Sequence, residues 1–130
     1  MVILIILGEK KLKLLVCGSR TIKDVDYVYN CMDDTIKEFK IIITELIEGE
    51  ADGVDKISRH YAEDHGIRVN PKKPEWDKYG RGAGKVRNKE MVEACECGIA
   101  IWDGKSTGTA HTIELLKKTN KLLKVFNKND

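Results

Sequence analysis

The chain has 130 residues, with 23 Lys plus Arg against 21 Asp plus Glu and a formal net charge of +2. That length suits one domain with a core of its own, and a 42% apolar share without low-complexity tracts excludes a disordered chain. The near-balanced charge supplies no global basic field, which argues against avid nonspecific binding to nucleic acid.

Residues 2–7 and 12–17 are β-rich apolar runs, and Gly8-Glu9-Lys10-Lys11 between them fits a hairpin turn. The first run lacks a basic flank and a cleavage site, and no run nears the roughly 18 residues of a membrane span. The expected setting is therefore cytoplasmic, with no membrane. Residues 1–11 read as an added strand or hairpin arm and residues 12–130 as one domain. The four cysteines (Cys17, Cys31, Cys95 and Cys97) read as buried thiols. Cys95-x-Cys97 would need two more ligands to hold an ion, so no metal is expected.

After Gly18-Ser19-Arg20, a capping-box-like Thr21-x-x-Asp24 opens a helix over about residues 22–39. Val25, Val28, Met32, Ile36 and Phe39 form its apolar stripe. Residues 41–47 suit a strand covered on both faces. Val54, Ile57, Tyr61 and Ala62 mark a second helix stopped by Gly66, and residues 67–70 a short third strand halted by Pro71 and Pro74. Residues 75–84 read as a loop, 85–96 as a helix, 98–102 as a strand and 103–109 as a loop. A last helix over about 109–119 and a strand over 121–126 close the chain. This alternation predicts an α/β, Rossmann-like doubly wound parallel sheet of order 3-2-1-4-5, with the extra N-terminal strand or hairpin.

Eight of the 11 glycines fall in four segments at one edge of that sheet: Gly18; Gly49 and Gly53; Gly80, Gly82 and Gly84; Gly104 and Gly108. In such sheets ligands bind beyond the carboxyl ends of the strands, where the strand order reverses. Glycine allows close backbone approach there, and the following helix N-termini favour phosphate or carboxylate. Neither a G-x-G-x-x-G fingerprint nor a P-loop is present, which disfavours a dehydrogenase or an ATPase. Arg20, Arg81 and Arg87 sit in or beside the glycine loops and suit bidentate phosphate recognition. Ser19, Ser106 and Thr109 can give hydroxyls to phosphate or cap the helices they precede. Trp76 and Tyr79 can stack on a base, Trp102 reads as core, and Asp55 can take a ribose hydroxyl. Asn88 can read a base edge, and His111 can exchange a proton.

These blocks resemble the YspA-like branch of the SLOG superfamily, which groups the DprA (Smf) DNA-processing proteins, the LOG cytokinin-activating enzymes and related Rossmann-like proteins. The resemblance runs from Leu14 to Phe126 and rests on four blocks. Val16-Cys17-Gly18-Ser19-Arg20 is similar to the opening strand and G-S-R loop. Residues 48–55 are similar to the G-G-A-x-G-x-D block, with Glu50 at the usual second glycine. Trp76-x-x-Tyr79-Gly80 with Ala83-Gly84-x-x-Arg87-Asn88-x-x-Met91, and Gly104-x-Ser106-x-Gly108-Thr109, resemble the two later segments. The resemblance implies a site for a nucleotide or nucleotide-derived small molecule, acting as a sensor, and a homo-oligomer, a dimer or larger. No further cofactor is implied.

Two other functions follow from the relatives. A LOG-like phosphoribohydrolase, cleaving an N-glycosidic bond, would use Arg87 and a carboxylate. Glu48, Glu50, Asp103 and Glu114 are the candidates, and none stands where the LOG enzymes carry theirs. Single-stranded nucleic-acid binding, as in DprA, would need a basic stripe with interleaved aromatics that the sequence lacks.

Overall fold

The computed structural model describes residues 9–128. The predicted strand over residues 2–7 lies outside them. Lys10 and Lys11, expected in a turn, instead begin strand β1 (Lys10–Gly18) and pair with Ile41 and Ile42. Then follow α1 (Val25–Phe39), β2 (Ile41–Glu48), α2 (Val54–Asp64) and β3 (Arg68–Pro71). The chain continues through a one-turn helix α3 (Trp76–Tyr79), a 3-10 turn (Gly80–Gly82) and α4 (Ala83–Ala94). It ends with β4 (Cys97–Trp102), α5 (Thr107–Lys118) and β5 (Leu122–Asn127).

The five strands are all parallel and ordered β3-β2-β1-β4-β5, the Rossmann-like order expected from the alternation. Pleating sends alternate β1 side chains to opposite faces. Leu14 and Val16 join Val28, Met32, Ile57 and Tyr61 under α1 and α2. Leu15 joins Met91, Val92 and Leu116 under α4 and α5. Both faces of the central strand are thus covered, which is why its sequence reads as a continuous apolar run. All four cysteines are buried and free.

Three local expectations are corrected. The α1 N-cap is Asp24, whose carboxylate accepts the Tyr27 N–H at 3.1 Å, and not Thr21, whose hydroxyl donates to Asp103. Val25, expected on the inward stripe, is 49% exposed in the first turn of α1. The loop expected over residues 75–84 is helical: α3 and the 3-10 turn lead straight into α4, and Gly84 lies inside its first turn. That stretch buries no apolar stripe, so periodicity had nothing to read.

Candidate functional site

The order of the sheet reverses between β1 and β4, and the loops leaving these strands are tied together. The Ser19 N–H donates to the Ile101 carbonyl at 3.0 Å. The Asp103 N–H donates to Ser19 Oγ at 2.9 Å, and Thr21 Oγ1 donates to Asp103 Oδ2 at 3.3 Å. Ser19 is fully buried, so its hydroxyl latches the two loops. Gly53, at φ +76°, lets the same loop sit on the start of α2; a Cβ there would lie 2.6 Å from the Ser19 and Arg20 carbonyl oxygens.

A cleft of about 80 Å³ opens beyond these strand ends. Arg20, Asp55, Arg87, Asn88, Gly108 and Thr109 line it, with Cys17 and Met91 among its apolar neighbours. Neither α2 nor α5 carries a side-chain N-cap; in α2 the Val54 N–H is taken by the Ser19 carbonyl at 3.4 Å, whereas the first turn of α5 keeps hydrogen-bonding capacity. The Ser106 and Thr109 hydroxyls, 3.2 Å apart, bond each other. A second cleft of about 370 Å³ shares Arg20, Ala51 and Arg87 with the first and runs on to Lys73, Pro74 and Trp76. The first cleft has room for an anionic group and the second for the body of a small ligand.

The Arg87 guanidinium bridges elements. Its Nη1 donates to the Gly49 carbonyl at 2.5 Å and to the Lys72 carbonyl at 3.4 Å, and its Nε donates to Asn88 Oδ1 at 2.9 Å. A Cβ on Gly49 would come within 2.5 Å of that Nη1, so this glycine makes room for the chain's own arginine. Asn88 Nδ2 in turn faces His111 Nδ1 at 3.2 Å and the Gly108 carbonyl at 3.4 Å. Asp55 Oδ2 accepts the Gly49 and Ala51 N–H groups, each at 3.2 Å. Burial pushes the Asp55 carboxyl up to about 7; the Ala51 and Gly49 N–H groups and Arg87 oppose that rise, and the Glu48 charge adds to it.

Asp103 shows the opposite behaviour. The Ser106 and Lys105 N–H groups, both on Oδ1 at 2.8 Å, hold its carboxyl down at about 2. An unfolded aspartate titrates near pH ~3.9, so this loop's contribution to stability is complete above that and is lost as pH falls through about 2. Thermal unfolding of Asp103→Asn should therefore lack part of the acid limb seen in the unsubstituted chain. Identical acid limbs would contradict the assignment.

Of the residues expected at the site, the structure brings Gly18, Arg20, Asp55, Arg87, Asn88, Ser106, Gly108 and Thr109 to the first cleft. Gly49 and Trp76 stand on the second, with Trp76 52% exposed. Ser19, Gly53, Tyr79, Gly84 and Gly104 line neither, and nor does Arg81. Tyr79 carries the Lys78 ammonium over its ring. Glu48 is buried with both oxygens engaged, by Arg59 and by the Glu50 N–H. Glu114 is exposed on α5, paired with Lys118. Glu50 pairs with Arg59 and adopts φ +63°, which explains why glycine is usual there in the pattern it resembles. Trp102 is half-buried, and its Nε1 donates to the Ser106 carbonyl, fixing the approach to α5.

Sequence reading missed Ala51, Thr112 and the Arg59 clamp. Thr112 stands one turn after Gly108 on the same face of α5 and Ala51 lies between two predicted site glycines, so both signals were present. Arg59 gave none, because its partner Glu48 is 11 positions away on another element.

A profile of the YspA, cpYpsA-related SLOG family matches residues 12–79, from β1 through α3. The chain is also 30% identical over 112 residues to the Gene 61 protein of Mycobacterium phage D29, covering 82% of this chain and 89% of that one. No solved structure matches.

Proposed function

The chain belongs to the YspA, cpYpsA-related SLOG family, and on that premise we propose that it binds a nucleotide or nucleotide-derived small molecule in the paired clefts. The observation that carries this reading is the convergence of Arg20, Arg87 and the uncapped first turn of α5 on one small cleft continuous with a larger one at Trp76. The cationic groups and free N–H groups take the phosphate, and the exposed indole stacks on the base. The hydrolase reading is less favoured, because each candidate carboxylate is engaged elsewhere: Glu48 by Arg59 and the Glu50 N–H, Glu50 on the second cleft by Arg59, Asp103 by the Lys105 and Ser106 N–H groups, and Glu114 by Lys118. Among the described residues no helix is long and apolar enough to cross a membrane. A homo-oligomer and a cytoplasmic setting belong to the same proposal, and sedimentation velocity tests the first.

Calorimetry and thermal shift with AMP, ADP-ribose, NAD and cyclic nucleotides test the function. At least one should bind and raise the melting temperature. Gly108→Val should abolish that binding without loss of fold, since a Cβ at Gly108 meets nothing within 4 Å. No binding by any of them would overturn the reading.

A further inference from the structure

We propose that Asp55 binds the anionic end of the ligand as a carboxylic acid, giving a hydrogen bond from Oδ1 to an anionic oxygen, so that the cleft takes up an anion and a proton together. The inference rests on the nucleotide reading above and adds a role for Asp55 different from accepting a ribose hydroxyl.

Asp55 is the carboxylate that lines the first cleft, beside Arg20 and Arg87; Glu50 and Asp52 line the second. It is 5% exposed. Oδ2 takes both loop N–H groups, which leaves Oδ1 outside those bonds. Asp55 lines the first cleft, and both of its loop N–H bonds fall on Oδ2, so Oδ1 is the oxygen left to meet a bound anion. An anion drawn in by the two guanidiniums and the first turn of α5 arrives beside this atom. The ionised carboxylate would repel it, whereas the acid donates to it. A proton on Oδ1 leaves both Oδ2 bonds in place, so the exchange needs no movement of the loop. Above the Asp55 midpoint, close to one proton enters from solvent with each anion bound.

The groups facing Asp55 come from every side. β1 brings the Cys17 thiol, which burial keeps protonated, and the following loop brings Arg20. The end of β2 brings Glu48, ion-paired with Arg59, and α4 brings Arg87. α5 brings the Ser106, Thr109 and Thr112 hydroxyls, with His111 beyond Asn88. The midpoint of Asp55 given above places its proton exchange in the neutral range.

ADP-ribose is the probe, because its pyrophosphate keeps a fixed charge across the neutral range. Its affinity should fall about tenfold between about pH 6 and pH 8, with uptake of roughly one proton at the upper end. Asp55→Asn keeps a carbonyl acceptor for the Gly49 and Ala51 N–H groups and offers an N–H donor in place of the acid. It should bind ADP-ribose at about pH 8 as tightly as the unsubstituted chain does at about pH 6, with no pH dependence between them. Carbon-13 NMR of the Asp55 carboxyl should show a midpoint near neutral that rises when ADP-ribose is added. Binding that is independent of pH, a decline that persists in Asp55→Asn, or an Asp55 midpoint in the ordinary carboxylate range would each overturn the inference and leave the nucleotide reading intact. No binding of ADP-ribose at either pH would overturn the inference, and failure of the whole nucleotide panel would take the underlying reading with it.

Discussion

Gly18→Ala is expected to lose about 3 kcal/mol of folding free energy, read from the urea midpoint by circular dichroism. The added Cβ would lie 2.3 Å from the Ile101 carbonyl oxygen and 2.6 Å from Val54 Cβ. The first belongs to the backbone of the neighbouring strand β4 and the second to the buried start of α2, so neither can yield without shifting an element. Gly108→Ala is the contrast. It enters open space in α5, where alanine is favoured over glycine by up to about 1 kcal/mol, so stability should hold or rise. Equal effects of the two substitutions would refute the distinction between a glycine required by packing and one left open at the cleft.

Arg59→Ala should cost about 3–5 kcal/mol, because it strands a buried charge. The Glu48 side chain is fully buried, and Arg59 meets its Oε2 through Nη2 at 2.6 Å and Nε at 3.1 Å. Arg59 Nη2 also reaches Glu50 Oε1 at 3.1 Å, while Glu48 Oε1 accepts the Glu50 N–H at 2.6 Å. The clamp thereby holds Glu50 in its left-handed conformation and sets the 49–51 turn on which Asp55 and Arg87 both depend. Arg59→Lys should recover only part of the loss, since an ammonium cannot offer the two-pronged contact. A loss below about 1 kcal/mol for Arg59→Ala would show that the pair is solvated in solution.

The strand order was legible because β-runs from residue 12 onward alternate with helical stretches, and that alternation admits few topologies. The edge of the sheet was legible from the glycines, though their individual roles were not. Gly18 and Gly53 fit strands and loops of this chain against one another, Gly49 admits Arg87, and Gly108 opens on the cleft. All four read alike in sequence, because glycine signals only that a side chain is excluded. Ser19 read as a phosphate-binding or helix-capping hydroxyl, since nothing local marks a partner in the Asp103 N–H, 84 positions away. Asp55 read as a carboxylate for a ribose hydroxyl, and nothing local marked its raised proton affinity. Its proton affinity is set by burial beneath a turn and by Glu48 and Arg87, which lie on two other elements.

The central claim is that the Arg20–Arg87 cleft and its Trp76 extension form one ligand site. Amide chemical-shift mapping of the full chain, with ADP-ribose added to saturation, tests it most directly. The account predicts perturbations concentrated at Arg20, Ala51, Asp55, Arg87, Gly108 and Thr109 and extending to the Trp76 indole N–H. Perturbations centred on the opposite edge of the sheet, or none while the chain stays folded, would contradict it.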